Sequence, residues 1–238
     1  MSISVTLICP IYSSLKSLSS LLKQINSLET SYLYQFELII INDSSPILLE
    51  KDIKLLLKKF PNKINLNYIY LEKNIGPGSV RNLGISLSNS RKYIGFLDDD
   101  DMPDLKNILN TSITYDVDII LSPVNKNNSS KDFFKIYKSR IILFNYFLKG
   151  HIKTVAWNKL YNLKLIKTIK AKFSSYRLFE DELFLLNILS SKEIKKFILI
   201  DRPLVNVYKR KDSRSRSFSH LEAFIYFLVQ IENMAYLY

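Results

Sequence analysis

Hydrophobic and polar positions follow two alternating periods along the first hundred residues. A short β-rich run over 3–9 precedes Leu15, Leu18, Leu22, Ile25 and Leu28, whose spacings of three and four mark one face of a helix. A continuous apolar run over 36–41 then meets the turn sequence Asn42-Asp43-Ser44-Ser45-Pro46, and a second helical stripe passes through Leu49, Ile53, Leu56, Leu57 and Phe60. Ile64, Leu66, Tyr68 and Tyr70 alternate as a third strand. Residues 79–88 carry Val80, Leu83 and Leu87 as a third helix, and 93–97 form a fourth strand that runs directly into four aspartates. Strand and helix in alternation predict an α/β fold on a mostly parallel sheet. Ligands of such sheets bind beyond the carboxyl ends of the strands, so residues 10–12, 43–45 and 98–101 are expected at one rim.

The second half is less regular. Residues 116–124 predict another strand and 125–131 a polar loop. β-like runs over 133–137, 197–200 and 204–208 then mix with helical ones over 141–148, 180–189 and 221–238. The pattern divides the chain into a first half over 1–124, a second over 125–217 and a terminal helix over 218–238. No internal repeat is visible.

With 238 residues, 47% of them hydrophobic, the chain buries a substantial core and is not intrinsically disordered. Its net charge of +12 attracts anions, whether nucleic acid, anionic lipid or phosphorylated small molecules, and does not choose among them. The first residues lack a basic stretch and Pro10 cuts the apolar run short, so they read as a buried strand rather than a signal peptide. No segment approaches the roughly 18 apolar residues of a spanning helix. The lone Cys9 has no disulfide partner, which fits a cytoplasmic protein, and is expected as a small core residue.

Four adjacent carboxylates, Asp98, Asp99, Asp100 and Asp101, repel one another unless a counter-charge intervenes. A divalent cation with hard oxygen ligands, Mn2+ or Mg2+, relieves that repulsion; an acidic turn capping the next helix through Asp101 or Asp104 explains the run equally well. Glu180-Asp181-Glu182 at a helix start read, on the residues alone, first as stabilisation of the helix dipole. Trp157 offers a flat platform for a sugar ring or a buried aromatic anchor, and Lys159 beside it is a candidate phosphate contact. The tract Lys209-Arg210-Lys211-Asp212-Ser213-Arg214-Ser215-Arg216 reads as a basic loop. His151 and His220 fit no nucleophilic or zinc pattern.

Phe96-Leu97-Asp98-Asp99-Asp100-Asp101 resembles the Asp-any-Asp motif of the inverting glycosyltransferases of family 2, which have the nucleotide-binding GT-A fold, a Rossmann-like mixed sheet flanked by helices with a smaller acceptor-side part. Other segments are similar to that family in order: residues 4–12 to its first strand, 36–45 to its second strand and acidic turn, 74–85 to its glycine- and arginine-containing loop and helix, and Trp157-Asn158-Lys159-Leu160-Tyr161 and Phe179-Glu180-Asp181-Glu182-Leu183-Phe184 to its acceptor-side signatures. The resemblance spans about residues 3–217.

By that resemblance Pro10 and Tyr12 wall a base pocket in which Asp43 accepts a hydrogen bond from uracil. Arg81 approaches the base or diphosphate, Asp98 and Asp99 contact the ribose, and Asp100 binds the metal that bridges the donor phosphates. Asp181 is the implied general base of a single inverting displacement. Asp101, Trp157, Lys159, Glu180 and Arg210 remain supporting or acceptor-side candidates. The implied reaction moves a sugar from a nucleotide-sugar, a UDP-hexose or UDP-N-acetylhexosamine, to a hydroxyl of a glycan or lipid-linked glycan, as in bacterial surface polysaccharide or lipooligosaccharide synthesis. The basic surface suits peripheral contact with an anionic membrane at the inner face of the cytoplasmic membrane. Two other readings stay open, an inactive nucleotide-sugar-binding relative and a basic nucleic-acid-binding protein; the latter lacks any zinc-finger, RNA-recognition or helix-turn-helix signature, so no nucleic acid is expected.

Overall fold

The computed structural model describes residues 3–12, 15–47, 50–61, 64–123, 134–149, 151–175 and 179–206. Its first half runs β1 (Val5–Ile11), α1 (Leu15–Asn26), α2 (Thr30–Leu33), β2 (Phe36–Asn42), α3 (Glu50–Leu57), β3 (Asn65–Tyr70), α4 (Pro77–Leu87) and β4 (Tyr93–Phe96). There follow β5 (Met102–Pro103), α5 (Leu105–Thr114), β6 (Ile119–Leu121), β7 (Ile136–Tyr137), α6 (Arg140–Leu148), β8 (Lys159–Asn162), α7 (Leu163–Thr168), α8 (Glu180–Ser190), β9 (Phe197–Leu199) and β10 (Val205–Asn206).

Eight strands form one mixed sheet in the order β3-β2-β1-β4-β8-β6-β9-β7, while β5 and β10 pair as a small antiparallel ribbon. β3, β2, β1 and β4 are mutually parallel, and β8 enters antiparallel between β4 and β6. That reversal matters for the site, because it brings the amino end of β8 to the rim where the parallel strands end.

Side-chain alternation explains why both faces are covered. Along β1 and β2, Val5, Leu7, Cys9, Leu38 and Ile40 join one buried cluster with Leu18, Leu22 and Ile25 of α1 and Ile108 of α5. Ile8 faces the other way, into a cluster with Ile94, Phe96, Ile166, Phe184 and Ile188, while Ile39 and Ile41 pack on Val80 of α4. Helices on both faces are what a parallel sheet requires.

β1 does not stop before Pro10 as its sequence suggests. It continues to Ile11, paired with β2 throughout. The Ile8 carbonyl accepts from Leu97 and that of Ile11 from Asp43, so by alternation Pro10 faces the β4 side, beyond the last β1–β4 pair, Ile8 with Phe96. Its missing N–H costs no ladder bond there. The strand expected over 116–124 contracts to three residues, and the elements expected over 209–216 and 218–238 lie outside the described residues.

Candidate active site

The rim is built from strand ends. Pro10 lies near the end of β1 and Tyr12 just beyond it, Asp43 follows β2, and together with residues 74–79 and Ser174 and Ser175 they line a cleft of about 470 Å³. Asp43 shapes one wall: its carboxylate accepts from the N–H groups of Ile75 at 2.8 Å and Gly76 at 3.0 Å, and its carbonyl accepts from Asn74 Nδ2 at 3.0 Å. Asp43 thus fixes the loop that starts α4, while in the turn after β2 it is Asn42 whose Oδ1 accepts from the N–H of Ser45 at 3.0 Å. Gly76 has φ +84°, a left-handed conformation that favours glycine, and Pro77 follows at the first helical position. A Cβ on Gly78 would lie 2.6 Å from the Ser174 carbonyl oxygen, so the first turn of α4 and the 174–175 segment meet without room for a side chain.

The four aspartates close a tight turn at the end of β4. Asp101 N–H donates to the Asp98 carbonyl at 3.1 Å, Asp98 N–H donates to Asp101 Oδ2 at 3.0 Å, and Tyr12 N–H donates to Asp99 Oδ2 at 3.1 Å. Asp101 is buried, and burial followed by the neighbouring Asp98 charge pushes its carboxyl up to about 8. The helix-capping role belongs to Asp104, whose side chain accepts from Asn107 N–H at 3.0 Å.

Arg81 is not an exposed helix arginine. It is 3% exposed, and its guanidinium binds Asp98 at 2.7 Å, Asp181 at 2.8 Å and Glu180 at 3.2 Å, with its face 5.3 Å from the Phe173 ring. Burial opposes its charge, but the carboxylates of Asp181, Asp98 and Glu180 outweigh that penalty and raise its pKa. It joins the end of β4 to the start of α8. In return it holds down the carboxyls of Glu180 and Asp181, both of which burial lifts above the usual carboxylate range.

α8 begins under strain. Phe179, its capping residue, sits at φ 65° and ψ 12°, a left-handed conformation that is costly for a bulky side chain, and the first two residues after it, Glu180 and Asp181, meet Arg81. Asp181 Oδ2 also accepts from Ala156 N–H at 2.9 Å. The Trp157-Asn158-Lys159 segment supplies three anchors. Trp157 packs half-buried on the first core cluster. Asn158 adopts φ 60° and accepts from Val205 N–H at 2.6 Å and Ser122 Oγ at 3.1 Å. Lys159 is buried rather than displayed on the rim, and its ammonium donates to the Val155 carbonyl at 2.6 Å.

The structure thus brings Pro10, Tyr12 and Asp43 to one cleft and Arg81, Asp98, Glu180 and Asp181 to one ion cluster. Arg210 lies outside the described residues. Sequence reasoning missed Val155, Ala156, Ser174 and Ser175; backbone groups and cleft-lining serines leave no side-chain pattern to read. Among the described residues no three His, Cys, Asp or Glu side chains converge as a metal cage. Magnesium and manganese need only one or two protein carboxylates when phosphates supply the rest, and the half-buried Asp99 and Asp100 provide hard oxygen at the rim, so the donor set fits such an ion. No helix among the described residues is long and apolar enough to cross a membrane.

Solved structures share this architecture. That of S. aureus TarS 1-349 in complex with UDP-GlcNAc matches 98% of this chain and 66% of its own length, with 21% identity and a TM-score of 0.71. The mannosyltransferase PcManGT from Pyrobaculum calidifontis in complex with GDP-Man and Mn2+ matches 90% of this chain and 59% of its own, with 12% identity and a TM-score of 0.62. At such identities the likeness is one of fold, the GT-A sheet and its helices. An uncharacterized glycosyltransferase of Rickettsia bellii (strain RML369-C) is 39% identical over 102 residues, 41% of this chain and 13% of that protein. The chain spans 66% or less of the length of each of these proteins. The glycosyl transferase family 2 profile matches residues 6–184, from β1 into α8 and through every segment that forms the cleft and the ion cluster, and the chain belongs to that family.

Proposed function

We propose that this protein transfers a hexosyl or N-acetylhexosaminyl group from a UDP-sugar to a hydroxyl of a glycan acceptor in one inverting displacement. The observation that carries the reading is Arg81, which ties the acidic end of β4 to the acids of α8 at 2.7 and 2.8 Å and so joins a donor side to a base. The 470 Å³ cleft beside it takes the nucleotide. Pro10 and Tyr12 flank the base ring there, and Asp43, which accepts two backbone N–H bonds, retains lone pairs for an imide N–H. Asp98 and Asp99 face the ribose, and the first turn of α4 presents its positive end to phosphate oxygen. Asp100 would hold a divalent ion, which when bound neutralises charge developing on the departing diphosphate.

Asp181 takes the proton of the attacking hydroxyl. One oxygen accepts from Arg81 and the other from Ala156, and a carboxylate keeps further lone pairs for a third partner. Arg81 and the N–H of Ala156 favour the ionised form that a base needs, against a burial penalty that favours the neutral acid. A lipid-linked acceptor at an anionic membrane surface belongs to the same proposal and rests on the +12 charge.

A panel of nucleotide-sugars with manganese, scored for nucleotide release with and without candidate glycans, tests the reading. UDP-sugars are expected to give metal-dependent release that chelator abolishes. Release from no donor, in protein that still binds UDP, would leave a donor-binding relative without turnover.

A further inference from the structure

Lys159 is a buried cation that the proposed transfer does not use. It occupies the first position of β8, is 4% exposed, and donates to the Val155 carbonyl at 2.6 Å. The nitrogen of that same peptide group belongs to Ala156, whose N–H donates to Asp181 Oδ2 at 2.9 Å. One trans peptide therefore lies between an ammonium and a carboxylate, its carbonyl on the first and its N–H on the second. Hydrogen bonds in such a chain polarise each other, and an ammonium on the carbonyl makes the opposite N–H a stronger donor.

We propose that Lys159 is a positioning residue for the base: by clamping and polarising the Val155–Ala156 peptide it fixes Asp181 Oδ2 and favours its ionised state. The inference rests on the reading of Asp181 as the general base. Among the described residues no other partner explains a lysine at a strand position that an apolar residue would fill without desolvating a charge. Burial pulls its pKa down to about 7, and among the described residues the charge that holds it up is Asp181. The groups facing Asp181 are Arg81 from α4, Asp98 from the turn after β4, Glu180 from its own helix, and Lys159 and Tyr161 from β8. Arg81 grips Oδ1 directly, and Lys159 acts on Oδ2 through the peptide.

The test compares wild type, Lys159→Met, Lys159→Gln and Asp181→Asn for turnover against pH and for donor affinity by calorimetry. In Lys159→Met kcat is expected to fall about 10- to 100-fold with donor KM little changed, since a displaced base costs rate and not donor binding. Removing a cation raises the carboxyl pKa, so activity is lost at a higher pH on the acid side; Lys159→Gln, which keeps a donor without charge, recovers part of kcat but not the pH limb. Wild-type kcat and an unshifted limb in Lys159→Met, with Asp181→Asn inactive, would overturn this inference alone. An active Asp181→Asn would overturn the base reading itself. Wild type supplies a readout that needs no variant: the Asp181 carboxyl carbon resonance is expected to show an inflection near pH 7 as Lys159 loses its proton, and a titration curve without one contradicts the coupling.

Discussion

Arg81 decides the electrostatics of the site. An arginine whose side chain is 4% exposed, between acids whose side chains are 14%, 22% and 38% exposed, is retained because each side makes the other tolerable. Arg81→Met leaves Glu180 and Asp181 uncompensated at a cost of about 3 kcal/mol when both are ionised; Asp98, more open to water, adds little. Both half-buried carboxyls already lie above the usual range and rise further in the variant. The folded variant then keeps protons that the unfolded chain sheds above about pH 4, so its deficit is smallest near that pH and widens toward pH 8. Urea midpoints of both proteins at the two pH values check this, and a pH-independent difference would contradict it. Asp43 and the aspartates at 98–101 were legible from sequence because each stands at a strand end. The pairing of Arg81 with Asp181 was not, since a hundred positions separate them and no local period links them.

At the scale of elements, α4 is set by glycines at its close approaches. A Cβ on Gly84 would lie 2.4 Å from Ile8 Cγ2 on β1. Gly84→Ala therefore pushes α4 off the sheet and is expected to destabilise by about 1–3 kcal/mol, read as a lower urea midpoint at unchanged slope; an unchanged midpoint would show that the contact relaxes freely. Because α4 carries Arg81, the same variant should also lower turnover. The helices α1, α3 and α4 follow from the stripe that each presents to the sheet, and β1, β2 and β4 from short apolar runs buried on both faces. β5 and β10 have two residues each, too few to show a period. β8 escaped for a different reason: only pairing with β4 and β6 reveals that Lys159-Leu160-Tyr161-Asn162 is a strand.

At the scale of the molecule, one sheet carries two kinds of edge to a common rim. Parallel strands contribute the cleft proposed for the nucleotide and the acidic turn, while the antiparallel β8 and the strained start of α8 contribute the proposed base and its supports. The order of motifs along the chain made the α/β class and the family readable; the reversal at β8, which closes the site, depends on a sheet order that sequence spacing does not encode. The central claim is that donor capture and proton removal belong to separable groups joined by Arg81. Asp181→Asn, assayed in parallel for UDP-sugar affinity by calorimetry and for transfer to acceptor, measures it most directly. Donor affinity is expected to match wild type while kcat falls about 10²- to 10⁴-fold; transfer at the wild-type rate, or loss of donor binding together with transfer, would contradict the account.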